Sequence, residues 1–264
     1  MVSASDVKLK EAFPLPAVDE ANLRYQATVR DLNNQAVACH LKEDFRSAIR
    51  KYDEALMIDR NFAVLYNNRG VALLKGKTLD GAIADFDRAL TIDPDFGLAY
   101  YNRGVAWRAQ KDLDRAIADF SLAIEALPDL ARAYNNRGEA YSEKNEWDLA
   151  VKDFTRAIEL EPDFASAYNN RGESWHAQGN LVAARSDYRQ ALKLNPALAA
   201  AYYNRGKLNL ETGAEGRAIE DFKKALKIDP DIKTAYRKLS RLLKSKSDQP
   251  SGKDAKALAQ KSRN

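Results

Sequence analysis

The sequence predicts an all-α protein built from stacked helix pairs, because three features recur along it every 34 residues. The first is a set of prolines: Pro94, Pro128, Pro162, Pro196 and Pro230. The second is a set of glycines: Gly70, Gly104, Gly138, Gly172 and Gly206. The third is a tyrosine-led block whose first copy is Tyr66-Asn67-Asn68-Arg69-Gly70. A fixed period of this length is typical of proteins in which each repeat packs on the next.

The repeat 63–96 shows how each copy predicts two helices. The core side of the first helix, helix A, carries residues at helical spacing: Tyr66, Gly70 and Leu73. The second, helix B, does the same with Ala82, Phe86 and Ala89. Gly70 lacks a Cβ, so a neighbouring helix can approach closely there. Pro94 ends the repeat because proline lacks an N–H and restricts the residue before it.

The order aromatic, glycine, large apolar, alanine, aromatic, alanine and proline resembles the tetratricopeptide repeat. The match covers 29–232 in six repeats: 29–62, 63–96, 97–130, 131–164, 165–198 and 199–232. The resemblance implies antiparallel helix pairs stacked in a right-handed superhelical solenoid, with the A helices lining a concave groove. A capping helix at 233–246 would cover the last apolar face, since Ala235 and Tyr236 restart the helix A pattern.

The two end repeats depart from the pattern. The first has Leu32 in place of the tyrosine and Arg60 in place of the proline, as terminal repeats often do. The sixth has Asn209 where the other repeats have a large apolar residue or cysteine, which predicts looser packing at that end. Residues 1–28 are predicted to be a partly helical lead-in, and 247–264 a disordered basic tail.

Charge and composition narrow the class of protein. The net charge of +4 comes from the segment 244–264, so the rest of the chain is neutral. A neutral body argues against nucleic-acid binding, which requires basic charge clustered on one face. No apolar run is long enough to span a membrane, and no signal peptide is visible at the N-terminus. These features favour the cytoplasm, although an exported chain stripped of its signal would look the same.

The resemblance places positions 5 and 6 of each helix A in the groove, counting from the first residue of the repeat. Position 6 is asparagine throughout: Asn34, Asn68, Asn102, Asn136, Asn170 and Asn204. Position 5 is asparagine or tyrosine: Asn33, Asn67, Tyr101, Asn135, Asn169 and Tyr203. An asparagine amide matches the N–H and C=O of a peptide unit, so this row is predicted to bind an extended peptide. The alternative is that position 6 ties each helix A to its neighbour.

Catalytic, metal and cofactor sites are not predicted. The two histidines, His40 and His176, are four repeats apart, and Cys39 is the single cysteine, so the usual zinc ligand sets cannot form. Cys39 and His40 are neighbours in a helix and point about 100° apart, which excludes a catalytic pair. The glycines lie in helices or turns and make no phosphate-binding loop.

The leading hypothesis is therefore a non-enzymatic adaptor or scaffold that binds an extended segment of another protein. Two alternatives are a structural, self-assembling subunit and an accessory chain of a separate enzyme. The sequence leaves the partner and the oligomeric state open.

A second pattern predicts ion pairs. Position 7 is arginine and position 23 is aspartate in the same five repeats, beginning with Arg69 and Asp85, whereas the first repeat has Gln35 and Lys51. We expect these charges to pair between helices A and B, either within a repeat or across its boundary.

Overall fold

A computed structural model describes residues 23–232, 237–239 and 241. From Leu23 to Ile228 it forms twelve helices: α1 Leu23–Leu41, α2 Phe45–Ile58, α3 Ala63–Lys75, α4 Leu79–Ile92, α5 Gly97–Ala109, α6 Leu113–Ala126, α7 Ala131–Glu143, α8 Trp147–Leu160, α9 Ala165–Ala177, α10 Leu181–Leu194, α11 Ala199–Glu211 and α12 Glu215–Ile228. In the capping segment, 237–239 and 241 are helical. The rest of that segment, the tail 247–264 and residues 1–22 of the lead-in lie outside the described residues.

The chain divides into two compact units, Met1–Asp153 and Phe154–Asn264, here called unit 1 and unit 2. Odd-numbered helices are A helices and even-numbered ones are B helices. In unit 1, the helices from α1 to α7 pack each on the next in chain order. In unit 2, α9 to α12 pack in the same order. Over the described residues, this helical, paired architecture confirms the predicted all-α class of consecutive helix pairs.

The ends of the helices follow the repeat. From α3 onward, each helix A begins at the first residue of a predicted repeat. The turn from A to B has a left-handed residue at position 15 of every repeat: Glu43, Lys77, Lys111, Asn145, Gly179 and Gly213. An extended residue follows α2, α4, α10 and α12, and Asp93 (φ −131°, ψ 93°) shows the cause in the repeats that carry proline. It precedes Pro94, and a residue before proline is driven out of the helical region.

Small residues let the helices of a repeat approach closely, as the sequence predicts. A Cβ added at Gly70 would lie 2.7 Å from Cε1 of Phe86, and one added at Gly104 would lie 2.8 Å from Cε1 of Phe120. Both rings are fully buried. The helix B alanines on either side of the ring are also fully buried, as Ala82 and Ala89 show. The core of each repeat is therefore an aromatic ring of helix B set against the backbone of helix A.

Tyr188 offers a direct test of this core. It occupies the ring position that is phenylalanine in Phe86, Phe120, Phe154 and Phe222, and its buried hydroxyl has no hydrogen-bond partner among the described residues. Because a buried hydroxyl without a partner is destabilising, Tyr188→Phe should raise the free energy of unfolding by about 1 kcal/mol in urea denaturation. Tyr101→Phe is the control and should lower it, because the Tyr101 hydroxyl accepts a bond of 2.8 Å from Asn136 Nδ2. A loss of stability in Tyr188→Phe would contradict the expectation.

The predicted Arg–Asp pairs form in all five repeats, each within its own repeat. Nε and Nη2 of the arginine donate to the two carboxylate oxygens at 2.6–3.0 Å in Arg69–Asp85, Arg103–Asp119, Arg137–Asp153, Arg171–Asp187 and Arg205–Asp221. These aspartates are buried. The hydrogen bonds that Arg69 donates to Asp85 hold the pKa of Arg69 above its ordinary range. Each buried aspartate of the described residues is thus matched by a bidentate arginine, and these five pairs are here called the Arg–Asp ladder.

Four of these arginines, Arg69, Arg103, Arg137 and Arg171, also have a hydrogen-bond partner across the repeat boundary, at position 25 of the preceding helix B. Nη1 of Arg69 donates to Asp53 at 2.6 Å, and Nη1 of Arg103 donates to Asp87 at the same distance. In the next two repeats the acceptor is a hydroxyl, Ser121 for Arg137 and Thr155 for Arg171. The tyrosine three residues earlier lies beside each guanidinium, its ring centre 5.5–5.8 Å from the guanidinium carbon. The predicted pairing with position 23 therefore forms within the repeat, and the partner across the boundary is position 25, which was not predicted.

Candidate peptide-binding surface

The structure buries most of the predicted binding row. Eight asparagines at positions 5 and 6 are at most 6% exposed: Asn33, Asn67, Asn68, Asn102, Asn135, Asn136, Asn169 and Asn204. Tyr101 is buried as well. Asn170 and Tyr203 are half-buried, and Asn34 is exposed. Direct access from solvent is therefore concentrated at three of the twelve positions.

Hydrogen bonds link position 6 of one helix A to position 5 of the helix A before it. In unit 1, Nδ2 of Asn68 donates to Asn33 Oδ1 at 3.2 Å, and Nδ2 of Asn102 donates to Asn67 Oδ1 at 2.9 Å. Nδ2 of Asn136 donates to the Tyr101 hydroxyl. In unit 2, Nδ2 of Asn204 donates to Asn169 Oδ1 at 3.2 Å. The asparagines thus tie successive A helices together, which the sequence offered as the alternative to peptide binding.

The inter-helix hydrogen bonds do not use all the donor and acceptor groups of the asparagine amides. An asparagine side chain has two N–H groups and a carbonyl oxygen with two lone pairs, and one inter-helix bond uses one of these. Some of the remainder is engaged within a repeat, where Asn67 Nδ2 donates to Asn68 Oδ1 at 3.3 Å and Asn135 Nδ2 to Glu139 Oε1 at 2.8 Å. The row is therefore a fixed array of polar groups, held in place before any ligand arrives.

Charged side chains beside the row are paired across repeats. Buried Arg108 forms an ion pair with Glu139. Lys111 Nζ lies 2.8 Å from Glu143 Oε2, and in unit 2 Lys207 Nζ lies 3.3 Å from Glu173 Oε1. These carboxylates already have basic partners, so they do not by themselves select a basic ligand.

His40, at position 12 of the first repeat, makes unit 1 sensitive to acid. It is 5% exposed and packs edge-on against Phe45. Burial, and then the charge of Lys75, lower the pKa of His40 from 6.5 to about 4. The unfolded chain therefore binds a proton more readily than the folded one between these values, so stability falls as the pH falls through this window. From about pH 7.5 to about pH 5 the loss attributable to His40 should be about 2 kcal/mol.

The measurement is urea denaturation at both pH values in the wild type and in His40→Leu, which introduces the residue that Leu74 and Leu210 provide at position 12. The variant should lose less stability on acidification. His176→Leu is the matched control, because His176 is only half-buried and its Nε2 lies 2.7 Å from Glu211. If acidification lowers the free energy of unfolding equally in wild type and His40→Leu, His40 is not the cause of the acid sensitivity.

Family models of the tetratricopeptide repeat match most of the described chain. One model, described as tetratricopeptide repeat, matches 42–97 and 93–131; two more with that description match 131–164 and 199–232. A model described as TPR repeat matches 172–213. The chain belongs to the tetratricopeptide repeat family. Proteins of this family mediate protein–protein interaction, and the fold is generally a non-enzymatic scaffold.

Solved tetratricopeptide repeat structures resemble this one. YrrB, reported as a TPR protein with an unusual peptide-binding site, has a TM-score of 0.56 at 25% identity over 70% of this chain and 96% of its own. MamA has a TM-score of 0.56 at 25% identity, over 61% of this chain and 94% of its own. PilF of Pseudomonas aeruginosa, at 15% identity, has a TM-score of 0.73 over 83% of this chain and 99% of its own, and shows the fold alone. No curated protein sequence matches the chain.

Among the described residues, no helix is both long and apolar enough to cross a bilayer. Their His, Cys, Asp and Glu side chains form no group of three that could hold a metal ion.

Proposed function

We propose that this tetratricopeptide repeat protein is a non-enzymatic adaptor that binds an extended segment of a partner protein along the A-helix surface of its repeats. The row of amide and phenol groups at positions 5 and 6 carries the proposal. The proposed peptide-binding residues among them are Asn34, Asn67, Asn68, Tyr101, Asn102, Asn135, Asn136, Asn169, Asn170, Tyr203 and Asn204. Amides pair with peptide units without reading side chains, so the row suits an extended backbone of varied sequence.

The members of the row take two roles in this proposal. Asn34, Asn170 and Tyr203 touch the ligand first, because they are the more accessible members. The buried asparagines fix the spacing of the A helices through their inter-helix bonds. A surface that is already ordered binds a peptide more tightly, because less freedom is lost on binding. The likeness at 25% identity to YrrB, a tetratricopeptide repeat protein with an unusual peptide-binding site, supports peptide binding as the activity.

The test begins with a peptide selected against the purified protein from a random-sequence display library, then labelled and titrated by fluorescence anisotropy. Asn170→Ala and Tyr203→Phe should each weaken binding by about 0.5–1.5 kcal/mol, the usual net worth of one hydrogen bond. Both variants should keep the native circular dichroism spectrum. The control is Asn61→Ala, which removes an exposed asparagine from the segment between α2 and α3 and should leave the affinity unchanged.

Buried members need a separate comparison. Asn102→Ala should lower stability, because it removes the bond to Asn67, so its binding is measured at a temperature where it is fully folded. Unchanged affinity in both Asn170→Ala and Tyr203→Phe would move the site elsewhere. Light scattering over a concentration series addresses the alternative of a self-assembling subunit: a mass that grows with concentration would favour it.

A further inference from the structure

A cavity of about 780 Å³ lies along α10 in unit 2, on the helix B side of the fifth repeat. Its lining is rich in basic residues: Arg171, Arg185, Arg189 and Lys193. Asp187 also lines it, but both of its carboxylate oxygens accept bonds from Arg171. No position-5 or position-6 residue is among the described lining residues. The cavity is thus distinct from the asparagine row.

Two of these basic residues, Arg185 and Arg189, are departures from the earlier repeats. Position 21 is aliphatic in the other five repeats (Ile49, Ile83, Ile117, Val151 and Ile219), but it is Arg185 here. Position 25 is acidic or carries a hydroxyl in the first four repeats (Asp53, Asp87, Ser121 and Thr155), but it is Arg189 here. Asp53 and Asp87 accept hydrogen bonds across the repeat boundary from Arg69 and Arg103, respectively. At this repeat the charge at that position is therefore reversed.

A polar network fixes Arg185 in place. Its Nη1 donates to Asn209 Oδ1 at 2.8 Å and its Nη2 to Thr212 Oγ1 at 3.1 Å. Asn209 itself replaces an apolar residue of the repeat, and its Nδ2 donates to Asp221 Oδ2 at 2.9 Å. The looser packing predicted from Asn209 is therefore wrong: the side chain is 3% exposed and bonded on both sides. Asn209 and Thr212, in the repeat that follows Arg185, thus hold its guanidinium group, and both of these acceptors are neutral.

Further positive charge surrounds this guanidinium. Burial, and then the charges of Arg189, Arg217 and Arg205, lower the pKa of Arg185 from its ordinary value. Of these neighbours, Arg205 donates a hydrogen bond to Asp221, which also accepts one from Asn209. The cluster therefore carries more positive than negative charge, and its potential favours an anion.

We propose that this cavity, built by Arg185 and Arg189, binds an acidic segment of a partner protein. Guanidinium groups match carboxylates in a planar, bidentate fashion, which favours carboxylate side chains as the ligand groups. The cavity also has apolar lining, Leu181 and Val182, and the Val182 side chain is 83% exposed. An anionic segment that also carries an apolar side chain fits this mixture better than a phosphate chain, which has no apolar part. The volume is that of an ordinary ligand cleft.

The experiment titrates the full chain with a fluorescein-labelled peptide of about eight alternating Glu and Leu residues, the length scale of one cleft, at low salt by fluorescence anisotropy. Two variants remove the site by restoring what other repeats carry. Arg189→Asp reproduces Asp87, and Arg185→Ile with Asn209→Leu reproduces the pair Ile49 and Leu73, which occupy the equivalent positions in the first and second repeats. Each should weaken binding about tenfold or more, the worth of one charge-assisted bond.

Matched controls separate the site from general charge. Arg46→Asp reverses one exposed charge on α2 in unit 1 and should leave the affinity unchanged. Arg189 is exposed, so its variant keeps the proposal testable even if the double variant fails to fold. Binding unchanged in Arg189→Asp, or weakened equally in Arg46→Asp, overturns the proposal. Tighter, Arg189-dependent binding of a single-stranded oligonucleotide or of phosphatidylserine vesicles overturns it in favour of that ligand class.

Discussion

Replacing Asp119 with asparagine is expected to lower the free energy of unfolding by about 3 kcal/mol, because it leaves the Arg103 charge without its buried partner. Asp119 is 4% exposed and accepts two bonds of 2.7 Å from Arg103. The asparagine amide keeps one acceptor oxygen, but because it is neutral it cannot balance the positive charge of Arg103. Urea denaturation at neutral pH measures the loss, and circular dichroism checks that the variant keeps its helices.

Asp87→Asn is the matched control, since the same arginine binds both carboxylates. Arg103 Nη1 lies 2.6 Å from Asp87 Oδ1, closer than its contacts with Asp119, but the Asp87 side chain is 54% exposed. Exposed pairs contribute about 0–1 kcal/mol, so this variant should cost less than about 1 kcal/mol. A double-mutant cycle on Arg103 and Asp119 isolates the pair itself. Equal losses in the two single variants, or coupling near zero in the cycle, would show that burial does not set the strength of the ladder.

The sequence alone predicted this ladder because the arginine at position 7 and the aspartate at position 23 are present together in five repeats. Position 25 was not predicted as its second partner, since it changes along the chain from Asp53 and Asp87 to Ser121 and Thr155. A contact that varies in chemistry leaves no repeated pattern to read. The helix pairing itself was predictable, because Gly70 and Phe86 keep their spacing in repeat after repeat.

Asparagine burial was not predictable from the same pattern. The row was identified, and both readings of it were open, because an amide suits a peptide ligand and a neighbouring helix equally well. The bonds join residues 35 apart, such as Asn68 to Asn33, and they depend on how far one helix A is rotated against the next. Periodicity places residues on a face, but it does not fix that rotation.

The prediction of looser packing at Asn209 was wrong for a related reason. Alone, an asparagine in an apolar slot indicates a packing defect. With Arg185 in the preceding repeat it becomes the acceptor in a buried network. Only the pair of departures is informative, and their contact crosses a repeat boundary.

Gly104→Val should destabilise the protein by about 3 kcal/mol or more, because there is no room for a side chain at this point of the core. A Cβ at this position would lie 2.8 Å from Cε1 of Phe120 and 3.3 Å from the backbone oxygen of Ala116. The Phe120 ring is fully buried, so it cannot swing into solvent to make space. Relief requires helix B to move away from helix A, which disturbs the packing of the whole pair.

Gly216→Ala is the control, because a Cβ there would meet no atom within 4 Å. Alanine is the better helix former, so this change should stabilise α12 by no more than about 1 kcal/mol. Adding Phe120→Leu to Gly104→Val should recover part of the loss if the clash with the ring is its cause, since the smaller side chain vacates the space the valine needs. If the stability losses of Gly104→Val and Phe120→Leu simply add in the double variant, the loss in Gly104→Val arises from the backbone of α5 and not from a clash with the ring. The recurrence of glycine at this position would then reflect the local helix rather than the aromatic ring it faces.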